Sequence, residues 1–353
     1  PGQTIAVVGE SGCGKTSTAN AILRLLPKNV DKYDGEVMFD GRDIMAIQNE
    51  EFRKTIRWRG ISMVFQGAMN ALNPAIRVGQ QVAEPLVMHY DTERDEALDA
   101  AVETMTKVGL APDVARRFPH ELSGGMKQRV VIAMALILKP KLVILDEPTS
   151  ALDVMTQTNI INLLKELKST EKLSYIFITH DLGLASELAD LVGIMYAGEI
   201  IELGPAEDVF VKPKHPYTGK LLSSVPRLRS EEAPEFIPGA PPDLTAPPSG
   251  CRFHLRCPVA FEKCGWSADE FVEHLRMLQS TEAVKDQLPK LAHIEANGET
   301  TVLLKPDAKT PAVSCAQEFS SFVSANRGTH HFLEAVVDVQ PAATSGGVTQ
   351  QEI

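Results

Sequence analysis

Residues 9–16 of the chain, GESGCGKT, combine glycines with a lysine and a threonine in the spacing of a loop that binds phosphate groups. The loop follows an apolar run, TIAVV, and precedes a helical pattern, which is the context that such a loop needs. Glycines let backbone N–H groups turn toward an anion, the lysine reaches the β- and γ-phosphates, and the threonine can ligate magnesium. A glycine-rich turn that ends in Lys-Thr by chance is the alternative. The residues expected to bind nucleotide are Gly9, Ser11, Gly12, Gly14, Lys15, Thr16 and Ser17.

Two adjacent carboxylates end a second apolar strand pattern, LVILDE at residues 142–147. In a site of phosphoryl transfer, Asp146 can hold magnesium through water, and Glu147 can orient or deprotonate the attacking water. An acidic pair at the end of a strand can instead cap the following helix. The phosphate loop upstream favours the catalytic interpretation.

A second anion-binding surface is indicated by residues 122–129, LSGGMKQR, where a Gly-Gly turn opens into an apolar helix. Together with the phosphate loop and the carboxylate pair, this motif resembles the signature of the ATP-binding cassette (ABC) family. The resemblance implies an α/β fold, a P-loop NTPase cassette with a parallel core sheet and a helical subdomain. It also implies that two cassettes enclose ATP between the phosphate loop of one and the signature of the other. The residues that would act on the partner's ATP are Ser123, Gly124, Gly125 and Gln128.

Three further residues match landmarks of this family in the expected order: Gln66 in MVFQGAMNALNP, Asp153 in SALD and His180 in YIFITHD. By resemblance, Gln66 senses the nucleotide and touches the transporter, Asp153 links the two ATP sites across the dimer, and His180 contacts the γ-phosphate. Taken singly, each has a plainer interpretation as a loop, capping or structural residue. The resemblance thus implies a catalytic set of Glu147, His180 and Gln66 and a magnesium site of Thr16, Gln66 and Asp146.

The alternation of short β-branched runs with longer helical patterns predicts an α/β ATPase domain over residues 1–225. Within it, residues 68–138 are expected to form the helical subdomain, whose groove in the resembled family receives a helix of the membrane subunit. A proline-rich linker is predicted over residues 226–250, a small irregular cysteine-containing extension over 251–340 and a disordered tail over 341–353.

Three motifs past the cassette resemble the C-terminal extension of the oligopeptide and dipeptide importer ATPases: HPYT at 215–218, IPG at 237–239 and PPSGCRFHLRCP at 247–258. His215 and Tyr217 in the first motif are interpreted as docking or packing residues. The resemblance implies an ATPase that powers peptide import and lies peripherally on the cytoplasmic face of the plasma membrane. The implied partners are a second ABC ATPase subunit, identical or not, two transmembrane permease subunits and an extracytoplasmic substrate-binding protein.

Other functions stay open at this point. The same ATPase role in nickel or oligosaccharide import is one alternative, because selectivity in such importers lies outside the ATPase. A soluble ABC ATPase without a transport role and a regulatory subunit that does not hydrolyse ATP are the others. The net charge of −11 disfavours a nucleic-acid partner.

Four of the five cysteines follow the pattern C-x5-C-x6-C-x50-C and are candidate metal ligands: Cys251, Cys257, Cys264 and Cys315. The lack of short C-x2-C pairs in the sequence disfavours a zinc knuckle. Some members of the resembled family carry a 4Fe-4S cluster on cysteines spaced like these, so a cluster is expected here, with Cys315 as the least defined ligand. One zinc ion or reduced thiols are the alternatives.

The beginning of the sequence lacks the features of a signal peptide, and no apolar run approaches the ~18 residues of a membrane-spanning helix. A cytosolic compartment is the resulting expectation. Cassettes of the resembled family carry an early strand pair and an adenine-stacking aromatic residue before the phosphate loop. Since this sequence begins close to that loop, we expect a truncated N-terminus, weakened ATP binding and an exposed sheet edge.

Overall fold

The structure is a computed structural model that divides the chain into two compact units, Pro1–Thr218 and Gly219–Ile353. It describes residues 1–225, 237, 239–261, 264–281, 288–289, 291–296, 301–306, 311–326, 332–333, 336, 338–341 and 349–352. Parts of the expected linker, 226–236 and 238, and of the expected tail, 342–348 and 353, lie outside the described residues. Within the described ranges, every helix is too short or too polar to cross a lipid bilayer.

The first unit is built on a mixed, mostly parallel sheet. Its strands are β1 (Thr4–Val8), β2 (Met38–Phe39), β3 (Arg42–Asp43), β4 (Ile61–Val64), β5 (Leu142–Asp146), β6 (Ser174–Thr179), β7 (Leu191–Tyr196) and β8 (Glu199–Pro205). Six of them form one sheet in the order β4-β5-β6-β1-β7-β8. Pairing is parallel from β4 to β7, and β8 runs antiparallel at the edge. Strands β2 and β3 form a separate short hairpin.

Continuous apolar runs make the central strands. Every residue of β4 is buried, and so are the last four residues of β5. Strands that are buried on both faces need such uninterrupted hydrophobic sequences, which is why these runs form a parallel sheet rather than a half-exposed antiparallel one. The central position of β6 is held by Phe177, which is fully buried and pairs with Ala6 on β1 and Leu145 on β5.

Helices connect these strands and include a subdomain between β4 and β5. The helices of the first unit, with the one that continues past Thr218, are α1 (Lys15–Ile22), α2 (Asn49–Thr55), α3 (Val78–Tyr90), α4 (Arg94–Lys107), α5 (Gly124–Leu136), α6 (Val154–Glu171), α7 (Leu182–Leu188), α8 (Ala206–Val211) and α9 (Pro216–Ser223). Helices α3, α4 and α5 pack against one another. They occupy the segment for which the sequence predicts a helical subdomain.

The second unit contains elements that the sequence analysis did not predict. They are α10 (Ala268–Ser280), β9 (Leu291–Ala296), β10 (Thr301–Pro306), α11 (Ala312–Asn326), β11 (Asp338–Pro341) and β12 (Thr349–Glu352). The strands form an antiparallel sheet in the order β11-β12-β10-β9. Helix α10 begins with a capping box in which Ser267 accepts from the Glu270 N–H and Glu270 accepts from the Ser267 N–H. The core of this unit combines aliphatic side chains with aromatic ones, among them Trp266, Phe271, Phe319, Phe322 and Phe332.

Replacing Phe177 with alanine tests the central sheet. We expect Phe177→Ala to lower the free energy of unfolding by about 3–5 kcal/mol, because it removes a fully buried ring and leaves a cavity. The control is Leu203→Ala on the edge strand, where the side chain is 63% exposed and the expected change is within about 0.5 kcal/mol. Urea unfolding monitored by circular dichroism measures both, and equal values for the two variants would contradict the assignment of Phe177 to the core.

Candidate functional site

The residues with chemical roles lie at one edge of the main sheet. Gln66 follows β4, Glu147 follows β5, His180 follows β6, and the phosphate loop follows β1. These four strands are consecutive neighbours in the sheet and run parallel. Their carboxyl ends therefore meet at the same edge, which is where open parallel sheets bind their ligands.

The phosphate loop between β1 and α1 has the backbone that its glycines permit. Gly12 and Gly14 have φ angles of 82° and 106°, in the region that side chains disfavour. A Cβ atom on Gly9 would lie 2.1 Å from the carbonyl oxygen of Met195, so only glycine fits there. Lys15 is buried, and its Nζ donates to the carbonyl oxygens of Gly9 and Glu10 at 2.8 and 2.9 Å. The lysine side chain thus contacts the first two residues of the loop in which it is expected to bind phosphate.

Asp146 presents a buried carboxylate that fits a cation site. It is 1% exposed, and neither of its carboxylate oxygens accepts a hydrogen bond of normal geometry from the described residues. Burial raises its pKa, as does the Glu147 charge, while the Thr16 hydroxyl and Lys15 ammonium beside it act in the opposite direction. A buried carboxylate whose oxygens lack hydrogen bonds of normal geometry is stabilised by a bound cation, so these residues fit the magnesium that the sequence predicts.

Glu147 is held at the centre of a three-residue cluster. Its Oε2 accepts from Nε2 of Gln66 at 3.0 Å, and its Oε1 lies 3.0 Å from Nδ1 of His180. The backbone of Glu147 has a φ of 46° and donates its N–H to the carbonyl of Ile178 at 2.9 Å. Such a left-handed conformation is unfavourable for a glutamate and is maintained here by contacts on both neighbouring strands. The structure therefore brings together the three residues that the sequence predicts as catalytic.

The signature residues lie at the start of α5, against the start of α6. Ser123 caps α5 by accepting from the Met126 N–H at 3.3 Å, and Gln128 is buried. A Cβ atom on Gly125 would lie 2.7 Å from Cγ2 of Thr156 in α6. In the described part of the chain, no hydrogen bond connects Ser123, Gly124 or Gly125 with the phosphate loop. Ser123 contacts its own helix, and Gly125 lies against α6.

Asp153 has a clear structural role as the N-cap of α6. Its two carboxylate oxygens accept from the N–H and the hydroxyl of Thr156 at 3.0 and 2.7 Å. These hydrogen bonds lower the pKa of Asp153. The next two side chains, Val154 and Met155, are 75% and 74% exposed. The capping interpretation of Asp153 is therefore realised, and the residue also lies beside an exposed apolar surface.

The cysteines do not form a metal site in the described residues. Cys251, Cys257 and Cys264 are half-buried and Cys315 is fully buried in α11, and all four are thiols rather than disulfides. No group of three or more His, Cys, Asp or Glu side chains in the described ranges is arranged to hold a metal ion. The Cys251 N–H donates to the Cys264 carbonyl, so protein contacts themselves close this loop. The expected 4Fe-4S cluster is not supported by the described residues.

The contact of Tyr217 with the phosphate loop was not predicted from the sequence. The hydroxyl oxygen of Tyr217, a residue interpreted as docking or packing, accepts from the Glu10 N–H at 3.1 Å. No local pattern in the sequence signals this contact, because 207 positions separate the two residues. The direct contacts of Glu147 with Gln66 and His180 were also not predicted, although the strand order would imply them.

Comparisons with known proteins agree with this geometry. A family model described as ABC transporter matches residues 1–150, and a model described as oligopeptide/dipeptide transporter, C-terminal region, matches residues 201–264. Among solved structures, the chain is similar to the ATP-binding cassette MJ0796 in a dimeric post-hydrolysis state bound to ADP and Pi. The TM-score is 0.51 and the sequence identity 31%, over 58% of this chain and 86% of that one.

Curated relatives give a more specific similarity. The chain is 47% identical over 266 residues to the oligopeptide transport ATP-binding protein OppD of Bacillus subtilis, covering 74% of each chain. It is 48% identical over 267 residues to OppD of Salmonella typhimurium, covering 74% of this chain and 79% of the relative. The dipeptide transport ATP-binding protein DppD of Bacillus subtilis is 46% identical to this chain over 269 residues, which cover 74% of this chain and 79% of the relative.

The chain therefore belongs to the ABC transporter family of ATPases, in the group with the oligopeptide/dipeptide transporter C-terminal region. This confirms the family, the cassette fold and the transport ATPase predicted from the sequence. The roles of individual site residues stay predictions.

Gly9→Ala tests the geometry of the phosphate loop. The added Cβ must displace the Met195 carbonyl or the loop, so we expect weakened nucleotide binding and hydrolysis reduced on the order of 100-fold. Binding is measured with a fluorescent ADP analogue and hydrolysis by phosphate release. Gly219→Ala is the control, since a Cβ there meets nothing within 4 Å. Normal nucleotide affinity in Gly9→Ala would show that the loop is not confined as described.

Proposed function

We propose that this chain is the ATP-hydrolysing subunit of an importer for oligopeptides or dipeptides. The observation that carries the proposal is the cluster of Glu147, Gln66 and His180 at the same sheet edge as the phosphate loop, which can orient and deprotonate the attacking water. The named activities of the OppD and DppD relatives support peptides as the cargo. They favour peptides over nickel or oligosaccharides, and a hydrolysing subunit over a regulatory one.

Binding and positioning of ATP are assigned to the phosphate loop. The backbone N–H groups at the start of α1 have no partner within the helix and can donate to phosphate oxygens. Lys15 exchanges its carbonyl partners for the β- and γ-phosphates, where its charge offsets the negative charge of the transition state. Thr16, Asp146 and Gln66 would hold magnesium, which supplies further neutralisation of phosphate charge when bound.

Hydrolysis is assigned to the Glu147 cluster. The carboxylate of Glu147 orients the attacking water and accepts its proton, as a general base must. Gln66 and His180 contact its two oxygens and fix the direction in which the carboxylate points. When ATP is present, His180 is placed to contact the γ-phosphate. A change at the nucleotide therefore reaches Gln66, which begins the segment that leads into the helical subdomain.

A second cassette completes the site. Ser123, Gly124, Gly125 and Gln128 would act on ATP held by the partner, and Asp153 would link the two sites. Two features support this assignment: the signature makes no hydrogen bond to its own phosphate loop in the described part of the chain, and Val154 and Met155 form an exposed apolar surface next to it. The partner is either a second copy of this chain or a related ATPase. The similar cassette MJ0796 is dimeric in its post-hydrolysis state, which agrees with a paired arrangement.

The membrane subunits are proposed to dock on the helical subdomain. A cavity of about 540 Å³ lies between α3 and α4, with Ile76, Val87 and Met88 among its lining residues. Met88 is 73% exposed, as an apolar contact residue would be before its partner binds. We propose that a helix of one permease subunit binds here, in a complex with two permease subunits, and that an extracytoplasmic protein delivers the peptide. The chain would then lie peripherally on the cytoplasmic face of the plasma membrane.

Glu147→Gln tests the catalytic assignment. We expect hydrolysis to fall by about 100- to 10,000-fold, because the amide cannot accept the proton. ATP binding is retained, so the variant should accumulate as an ATP-bound dimer in size-exclusion chromatography. The matched control, Glu166→Gln on the exposed face of α6, should hydrolyse ATP at the normal rate. Unchanged turnover in Glu147→Gln would remove Glu147 from the mechanism.

Met88→Glu tests the docking surface. A charge on this apolar contact should prevent co-purification of the two permease subunits, whereas hydrolysis by the isolated ATPase stays normal. Met277→Glu in the second unit is the control, since Met277 is similarly exposed, at 63%. Affinity purification followed by mass spectrometry measures both. Recovery of ribosomes or DNA in place of membrane proteins would contradict the transport function.

A further inference from the structure

Tyr217 is a buried tyrosine whose hydroxyl lies against the phosphate loop. The side chain is 0% exposed, and its oxygen accepts from the N–H of Glu10 at 3.1 Å. Burial raises the pKa of this hydroxyl and outweighs the hydrogen bond from the Glu10 N–H, which lowers the pKa, so the hydroxyl remains protonated. A buried hydroxyl that meets a backbone N–H is a specific interaction and not only a filled space.

Both backbone polar groups of Glu10 have side-chain partners, and its carbonyl also accepts from the Cys13 N–H at 3.3 Å. Its carbonyl accepts from Nζ of Lys15 at 2.9 Å, and its N–H donates to Tyr217. Glu10 directly follows Gly9, which packs on the Met195 carbonyl, and precedes the residues expected to bind phosphate. The orientation of the Gly9–Glu10 peptide therefore affects the direction in which the following N–H groups of the loop point. Without the tyrosine, the Glu10 N–H would lose a partly buried acceptor.

The position of Tyr217 is itself fixed by a chain of contacts. The carboxylate of Glu202 on β8 accepts from the N–H groups of Lys214 and His215 at 2.8 and 3.0 Å. His215 in turn accepts the Tyr217 N–H at Nδ1, at 3.1 Å. Burial lowers the pKa of His215, which favours the neutral ring that this contact requires. Each contact restrains the tyrosine backbone relative to β8.

An aromatic contact fixes the tyrosine ring as well. The rings of Tyr217 and Tyr196 lie 4.7 Å apart at an angle of 57°. Tyr196 is the last residue of β7 and follows Met195, the residue that packs on Gly9. The same strand end thus supports the loop directly and supports the tyrosine that holds it. A tilted aromatic pair in this range is favourable beyond the area that it buries.

We propose that Tyr217 is a positioning residue for nucleotide binding, because its hydroxyl accepts from the Glu10 N–H and so fixes the Gly9–Glu10 peptide of the phosphate loop. The residue belongs to the segment matched by the oligopeptide/dipeptide transporter C-terminal model, residues 201–264, and not to the cassette model that ends at residue 150. A residue of the segment matched by the C-terminal model therefore contacts the phosphate loop. This inference rests on the proposed function, since it concerns the same nucleotide site.

The test is Tyr217→Phe, which removes one oxygen and keeps the ring. We expect the dissociation constant for ATP and the KM for hydrolysis to rise about 2- to 10-fold, the loss of one hydrogen bond, while kcat changes little. The matched control is Tyr175→Phe in β6. Tyr175 is also buried, and its hydroxyl contacts the Leu164 carbonyl at 3.3 Å, within the core of the same unit.

Thermal unfolding of both variants separates positioning from stability. Similar melting temperatures with weaker ATP binding only in Tyr217→Phe support the proposal. Equal ATP affinities in the two variants overturn it, because the hydroxyl would then matter for packing alone. If Tyr217→Phe loses much more stability than the control, its binding data do not count, and amide exchange decides.

Amide hydrogen exchange of Glu10 in the nucleotide-free protein gives that independent measurement. The proposal requires slow exchange in the wild-type chain and in Tyr175→Phe, and faster exchange in Tyr217→Phe. Exchange of Glu10 at the rate of an exposed amide in the wild-type chain would overturn it. This readout needs no ATP, so it separates a failure of the positioning role from a failure of the proposed ATPase function.

Discussion

The parallel pairing of β4, β5, β6 and β1 is the constraint on which the site depends. It places the residues that follow these strands at one edge, so that Gln66 and Glu147, separated by 81 positions, share a hydrogen bond. A shift of one residue in the register of β5 would turn its buried side chains to the opposite face. The uninterrupted apolar sequence of these strands therefore does more than form a core. It determines which polar side chains meet.

Contacts with the rest of the unit hold the phosphate loop in one backbone conformation before nucleotide binds. Two of its backbone groups have partners outside the loop: the Gly198 N–H donates to the Cys13 carbonyl at 2.8 Å, and the Glu10 N–H donates to the Tyr217 hydroxyl at 3.1 Å. Because these groups already have partners, the loop cannot relax into another set of internal hydrogen bonds. Binding then costs less conformational entropy, since less of the loop has to be ordered.

Local motifs made much of the site predictable from the sequence. The phosphate loop, the pair Asp146 and Glu147 and the signature each carry their chemistry within a few adjacent residues. The alternation of short β-branched runs with helical patterns predicted an α/β domain with parallel strands. Contacts between distant segments were not predictable, because Tyr217 and Glu10 have no common local pattern. The residues that form the core of the second unit were not predictable either, because they come from segments far apart in the sequence. The cluster predicted from the cysteine spacing is not supported in the described residues, since spacing along the chain does not fix the geometry of four thiols.

The close packing of Gly125 on Thr156 has a consequence for how variants of the signature are interpreted. The hydroxyl of Thr156 is held by Asp153, so its methyl group cannot rotate away from a Cβ atom added at Gly125. A side chain at Gly125 would push on the cap of α6 within the same subunit, before any second subunit is involved. Loss of activity in such a variant is therefore ambiguous: it can arise inside one cassette as well as between two. The signature and the loop at Asp153 are packed together, so a substitution in one alters the other.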